Sequence, residues 1–289
     1  MAMDHQHGSD AGEPFVLYSL ADGVATITLN RPEKLNPLSH GPGSMQRAMV
    51  ERLMEADADE RVGCVVVTGS GRAFSAGGDV SGGKAPATGL DWYWFLSVED
   101  DDNEKIRQLR KPVIGAINGI CYGAALIMAA HFDMLVASSE ARFGLIETRF
   151  GGTGAEALNY LIGPQWAKFM ALSGELLSAE KAKEIGLVLE VVPPEALAAK
   201  AHDLARRIAA MPRDTMIMNR RMINAGMNAS GWTAQKQAGL AFNAATNSCA
   251  AEHRAWNGER FSDLMKQGWK TYKDVRDAPF KTSWFDDEP

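Results

Sequence analysis

Between Val24 and Asn30 the chain reads VATITLN, alternating apolar and small polar residues with the period of two that marks a half-buried β-strand. Two prolines in RPEKLNPLS break that pattern. Over SMQRAMVERLMEADADE the spacing becomes helical. Met45, Met49, Leu53 and Met54 fall on one face with charges on the other, which predicts a core-facing stripe. GCVVVTGS, from Gly63 to Ser70, predicts a buried strand closed by a Gly-Ser-Gly turn. The stretch from Gly82 to Asp102, carrying DWYWFL and then an acidic run, reads as a loop. KPVIGAI follows as a strand, Asn118-Gly119 as a turn and YGAALIMAAHF as a buried helix. DMLVAS and ARFGL then give two short strands.

LSAEKAKEIGLVLEVVPPEAL predicts a helix capped at Ser178, a stop at Gly186, a strand to Val192 and a double-proline break. Leu197, Leu204, Ile208 and Met211 then share a helical face, and helical text continues to about Val275. Strands alternating with helices in the first two-thirds predict an α/β core, and the last third a helical attachment. The organisation expected is a flexible N-terminal tail at 1–13, the core at 14–205, a C-terminal helical region at 206–275 and a tail at 276–289.

The longest apolar run, Val113 to Phe132, is long enough to cross a bilayer. Pro112 and the central Asn118-Gly119 divide it into a strand and a helix, each too short to span, so the run belongs to an interior and no membrane partner is expected. At 289 residues, 46% hydrophobic and 23% charged, the composition is that of an ordinary globular protein. Thirty basic against thirty-six acidic residues give a net charge of −6, which argues against a nucleic-acid partner. Cys64, Cys121 and Cys249 are an odd set without CxxC pairing and read as reduced thiols. The opening MAMDHQHGSDAGEP has no secretory pattern, and the expected location is cytoplasmic. His5 and His7 are not joined by ligand-spaced acids or cysteines, so they are assigned to a polar tail and no metal is expected.

Two glycine-rich turns carry the candidate chemistry. GSGRAFSAGGDVSGGK follows a buried strand yet lacks both standard phosphate motifs. Ala85 stands where a P-loop needs Ser or Thr, and Phe74 falls where a dinucleotide fingerprint needs its third glycine. Some forty residues on, INGICYGAAL repeats the strand–turn–helix arrangement. Gly115, Gly119 and Gly123 serve either close packing or approach of the backbone to a ligand. Two such turns can each aim a backbone N–H at one point, forming an oxyanion hole for charge developing on a carbonyl oxygen. Asp79, after the double glycine, reads as a helix N-cap, and His131 as a buried helix histidine.

From about Phe15 to Met265 the chain resembles the enoyl-CoA hydratase/isomerase, or crotonase, superfamily. DGVATITLNRPEKLNPLS, GCVVVTGSGRAFSAGGD, KPVIGAINGICYGAAL, FDMLVASSEARFGLIETRFG and LSGELLSAEKAKEIGLVLEVV occur in the family's order. The resemblance implies an α/β fold of the crotonase type, a spiral of β-β-α units with a C-terminal α-helical region that mediates trimer or dimer-of-trimers assembly. It implies an acyl-CoA substrate, with coenzyme A as part of the substrate and no separate cofactor. It assigns the oxyanion amides to Gly78 and Ala124, the adenosine–pantetheine path to Leu35 and Pro37, and an adenine contact to the Ala76 carbonyl. Glu33 stands where some relatives carry a lysine near the CoA phosphates, and Lys34 is the neighbouring substitute. Trp92 and Trp94, in WYWF, are expected to line the acyl pocket or its lid.

Hydratases of the family use two glutamates. Following the motif from Asn118-Gly119, the first position is Ile127, an aliphatic wall, whereas the second is Glu147 in FGLIET. One carboxylate beside a thioester α-carbon suffices to move a proton, so the expectation is 3-enoyl to 2-enoyl isomerisation with Glu147 as the shuttle. Hydration remains the alternative, with Glu99 to Asp102 or Glu156 as sources of a second acid. Thioester hydrolysis, C–C cleavage and a non-catalytic acyl-CoA-binding protein also stay open. The bland reading of Glu147 is an ion pair with Arg142 or Arg149.

Overall fold

Three successive corners build the core in the computed structural model, which describes residues 14–39, 43–79 and 85–285. The segments 1–13, with His5 and His7, and 286–289 lie outside the described residues. β1 (Val16–Ala21) and β2 (Val24–Leu29) form an antiparallel hairpin, with Val16 opposite Leu29. After α1 (Met45–Ala58), β3 (Cys64–Gly69) and β4 (Ala73–Ser75) make the first corner. α2 (Gly89–Gln108) leads to the second, β5 (Val113–Ile117) with β6 (Ile120–Tyr122). α3 (Ala124–Ala129) leads to the third, β7 (Met134–Ser138) with β8 (Arg142–Gly144). The chain continues through α4 (Leu158–Ser173), β9 (Leu177–Ser178), α5 (Ala179–Glu184), β10 (Glu190–Val192) and α6 (Leu197–Ala209). It ends in α7 (Arg213–Ala229), α8 (Trp232–Ser248), α9 (Phe261–Lys266) and α10 (Trp269–Asp277).

At each corner the first strand joins a large sheet, β1-β2-β3-β5-β7-β10, and the second a small one, β4-β6-β8-β9. From β2 onward the large sheet is parallel, and β4, β6 and β8 are parallel too. Val65, Val67, Val113 and Ile117 face the main core, while Cys64, Val66, Ile114 and Ala116 meet Leu197, Ala201 and Ala205 of α6. Cover on both faces explains why β3 and β5 are unbroken apolar runs. The predicted stripes hold except at their ends: Met54 is 51% exposed and Met211, beyond α6, is 56% exposed.

The corners are locked to one another. Asn118 Oδ1 accepts the Gly69 N–H at 3.2 Å, and its Nδ2 donates to the carbonyls of Gly71 at 2.9 Å and Ala73 at 3.2 Å. Fully buried Asn36 donates to the carbonyls of Ser70 and Ala73, both at 2.9 Å, from a left-handed backbone. Gly119 passes so close to the Arg72 carbonyl that a Cβ would collide with it. Gly115 is equally tight, with a Cβ only 2.6 Å from Leu135 Cδ2. At these two positions glycine serves packing.

The region from Gly82 to Asp102 corrects the sequence reading. Most of its described part is helix, opened by Thr88, whose side chain and that of Asp91 form a reciprocal capping box. The acidic run hid this helix because two of its neutralising charges come from other helices. Arg47 sits 3.0 Å and Lys105 2.8 Å from Asp102, and Lys236 of α8 lies 2.6 Å from Asp100. Asp79 does not cap it; the residue lies ten positions upstream of α2 and pairs with Arg31 at 3.4 Å. Buried Arg220 caps the far end of α2 through the carbonyls of Ile106, Arg107 and Leu109, and pairs with Asp133 at 2.7 Å. At the C-terminus Trp284 and Phe285 fold back onto Phe169, each with ring centroids 5.5 Å from it.

Two glycines should respond oppositely to alanine. Gly119→Ala forces a methyl into a fixed carbonyl and is expected to cost about 3 kcal/mol. Gly226→Ala, in open space on exposed α7, should gain about 0.5–1 kcal/mol from helix propensity. Urea unfolding of both variants checks the sign and size of each change.

Candidate active site

The Arg31–Leu38 segment sets one wall. It makes a 3₁₀ turn over Pro32–Lys34, then runs beside residues 76–79: Ala76 N–H donates to the Leu35 carbonyl at 2.9 Å and Leu38 N–H to that of Gly77 at 2.7 Å. Gly77 has φ +93° and lies so near the second turn that a Cβ would be 2.5 Å from the Tyr122 oxygen and 3.4 Å from the Ala124 nitrogen. The two glycine turns therefore touch. Neither the Gly78 nor the Ala124 N–H has a protein acceptor among the described residues. A Cβ on Gly78 would meet nothing within 4 Å, so this backbone borders open space. Two unengaged amides beside one cavity can receive an oxyanion.

That cavity holds about 880 Å³. Of the residues singled out in the sequence, Lys34, Pro37, Ala76, Gly78, Trp92, Ala124, Ile127 and Glu147 line it. Leu35 and Trp94 do not: Leu35 contributes its carbonyl to the neighbouring segment, and Trp94 is 62% exposed. α2 turns Trp92, Phe95, Leu96 and Glu99 inward, one and two turns apart, which places Trp94 on the opposite face.

Glu147 stands on a 3₁₀ turn, Ile146–Phe150, directly after β8. Three glycine backbones enclose it. A Cβ on Gly123 would lie 2.8 Å from Oε2, one on Gly154 3.3 Å from Oε1, and one on Gly152 3.0 Å from the Glu147 Cβ. Both carboxylate oxygens are buried and lack a hydrogen-bond partner among the described residues. Burial, reinforced by the charges of Glu99 and Glu156, pushes the carboxyl up from 4.5 to about 8. The ion-pair reading fails: Arg149 donates to the Gly174 carbonyl at 2.6 Å and approaches Asp277 at 3.4 Å, and Arg142 donates to the Ala141 carbonyl. Glu147 lies next to Gly123, the residue before the Ala124 amide, so acid and oxyanion donor are neighbours by construction. Ile127, one turn into α3, abuts Gly154 and presents hydrocarbon.

Several lining residues escaped the sequence reading. Asn243 and Asn247 come from α8, and Trp269, Tyr272, Lys273 and Arg276 from α10, which packs on the Glu147 turn through Arg276 over Phe150 at 5.1 Å. Glu99, Asp100 and Glu156, raised in the sequence only as possible sources of an acid, all line the cavity. Behind the wall, buried His131 accepts from Lys236 at Nε2, 3.0 Å away, and faces the Ile127 carbonyl through Nδ1 at 2.8 Å. Burial and the Lys236 charge hold its pKa well below 6.5. Among the described residues no cluster of His, Cys, Asp and Glu is arranged to hold a metal ion, and no helix is long and apolar enough to cross a membrane.

Two sheets joined at strand corners, with two unengaged corner amides beside a buried acid, have the architecture of a crotonase-type fold, and comparison with known proteins agrees. The sequence profile of the enoyl-CoA hydratase/isomerase family matches residues 19–283, and the chain belongs to that family. It is 35% identical over 217 residues to the 1,2-epoxyphenylacetyl-CoA isomerase of Escherichia coli K12, covering 73% of this chain and 82% of that one. It is 36% identical over 226 residues to a probable enoyl-CoA hydratase of Mycobacterium tuberculosis H37Rv, covering 74% and 78%. An enoyl-CoA hydratase/isomerase structure from Xanthobacter autotrophicus Py2 superposes with a TM-score of 0.80 at 31% identity, over 93% of this chain and 99% of that one.

A carboxyl raised from 4.5 to about 8 on folding leaves stability intact below its unfolded pKa and withdraws it as pH climbs to 8. Glu147→Gln removes that burden. The variant is expected to match the wild type at pH 4 and to exceed it at pH 8 by on the order of a few kcal/mol, read by denaturant unfolding at the two pH values.

Proposed function

We propose that the protein moves the double bond of a 3-enoyl-CoA thioester to the 2-position. The thioester carbonyl oxygen sits between the Gly78 and Ala124 amides. Glu147 removes a proton from C2, the negative charge passes to the oxygen and is held by the two amides, and a proton delivered to C4 completes the shift. The observation that carries this reading is the Glu147 carboxylate, buried without a partner beside the Gly123–Ala124 turn. A base tuned toward neutral pH matches a weak carbon acid. Ile127 offers no group to activate water from α3, and a relative named as a CoA-ester isomerase is in keeping with isomerisation.

The CoA portion is assigned to the cavity wall where Lys34 and Lys273 provide cations for phosphates and Ala76 a carbonyl for the adenine. Met218, Met222 and Ile223 leave an apolar strip exposed on α7, which supports an oligomer built through the C-terminal helices. Hydration is the second reading. It is favoured by the extra carboxylates Glu99 and Glu156 in the same cavity and by relatives named as hydratases.

Proton NMR in D₂O, with 3-enoyl-CoA and separately 2-enoyl-CoA, separates the two. Double-bond migration with deuterium entering the chain is expected, falling about 10²–10⁴-fold in Glu147→Gln. Accumulation of 3-hydroxyacyl-CoA would replace isomerisation by hydration. In the wild type, kcat/KM should climb as pH rises toward about 8, as Glu147 loses its proton in the free enzyme.

A further inference from the structure

Glu156 occupies the cavity wall on the stretch that leads from the Glu147 turn into α4. Its carboxyl rests on a glycine of α8: a Cβ on Gly239 would lie 2.9 Å from Cδ and 3.1 Å from either oxygen. Glu147 rests on Gly123 in the same manner. The nearby cation is already committed, because Lys236 holds Asp100 at 2.6 Å and His131 at 3.0 Å, and Glu156 enters no ion pair among the described residues. The segment between the two glutamates is fixed at Thr153, whose N–H donates to Asn243 Oδ1 at 3.0 Å, while its buried hydroxyl has no partner. Charged groups facing Glu156 are Glu99 and Asp100 of α2 and Lys236 of α8. Burial outweighs its own amide and the lysine, and pushes its carboxyl up as well.

A structural glutamate would be expected to use the adjacent ammonium, as Asp100 does. Glu156 leaves that ammonium to a neighbour and shares a cavity with the buried, unpartnered carboxylate of Glu147. We infer that Glu156 is the other proton-transferring group of this site: Glu147 takes the proton from C2 and Glu156 gives one to C4. This rests on the isomerase reading above. In the forward step the C2–H electron pair forms the C1–C2 double bond of the dienolate, with charge on oxygen, and Glu147 becomes the acid. The carbonyl then reforms, C2 and C3 become doubly bonded, and the former C3–C4 π pair takes the proton of Glu156, leaving a carboxylate. Proton exchange with water returns both groups to their starting forms. Ile127 then keeps hydrocarbon on the third side, where a water-activating acid would instead add water at C3 of the 2-enoyl product.

The test uses 3-enoyl-CoA deuterated at C2, in ordinary water, with product mapped by NMR and mass spectrometry. The wild type is expected to give product with no deuterium at C4, because the C4 proton comes from a different carboxyl. Glu156→Gln should still wash deuterium from C2 at close to the wild-type rate, while migration falls about 100-fold or more. Glu156→Asp should recover part of the migration. Deuterium carried from C2 to C4 in the wild type would overturn the assignment. So would a Glu156→Gln variant that migrates normally, or one that loses exchange and migration in parallel, the mark of a structural role. Failure of the isomerase reading looks different: C2 exchange would be absent from the wild type or would survive in Glu147→Gln.

Discussion

Burying a carboxylate without a partner is the constraint around which the rest of this molecule is arranged. Water would solvate Glu147 far better than this cavity does, so every feature that keeps it in place works against a standing cost. The seat is backbone: glycines at 123, 152 and 154 approach so closely that side chains there would displace the acid. Gly123 is held by corners that the Asn118 and Asn36 side chains bind together, Gly152 and Gly154 by the bond of Thr153 to Asn243, and the corners by sheets covered on both faces. The acid's strength as a base and its instability as a buried group are thus the same physical quantity. A site of this kind needs a rigid scaffold, and the β-β-α spiral supplies one by making each turn that borders the acid the end of a strand pair.

What the sequence could disclose was whatever depends on neighbours along the chain. β5 was legible as an unbroken apolar run because both of its faces are covered, and α5 because Ser178 accepts the Lys181 N–H as a cap. The helix at 89–108 was not, since two of the charges that tame its acidic face sit on α1 and α8, far away in sequence. Asp79 misled for a related reason. A residue after a double glycine resembles a cap, but the opening of a helix is decided by which amides lack partners, and here Thr88 serves them.

The site divides along the same line. Gly78, Ala124, Ile127 and Glu147 could be placed because the family resemblance carries each over by its offset from a motif along the chain. The contribution of α8 and α10 could not, because Asn243, Tyr272 and Arg276 reach the cavity only once the C-terminal helices fold back over it. Trp94 shows the limit of reading an aromatic cluster as a unit. In WYWF, helical geometry sends Trp92 and Phe95 inward and Trp94 to the surface.

The glycine seat also bears on how such a protein changes over generations. Because the acid is held by backbone rather than by side-chain partners, few single substitutions can move it to a new position and keep the fold. Losing it altogether is easy, since an amide or an aliphatic group at 147 relieves the scaffold of a buried, unpartnered acid. Descent from an ancestor with this architecture should therefore be uneven. Acid-bearing lines persist only under selection for what the acid does, while relaxed copies drift toward robust, well-folded proteins that retain the two amides and the cavity but no acid between them.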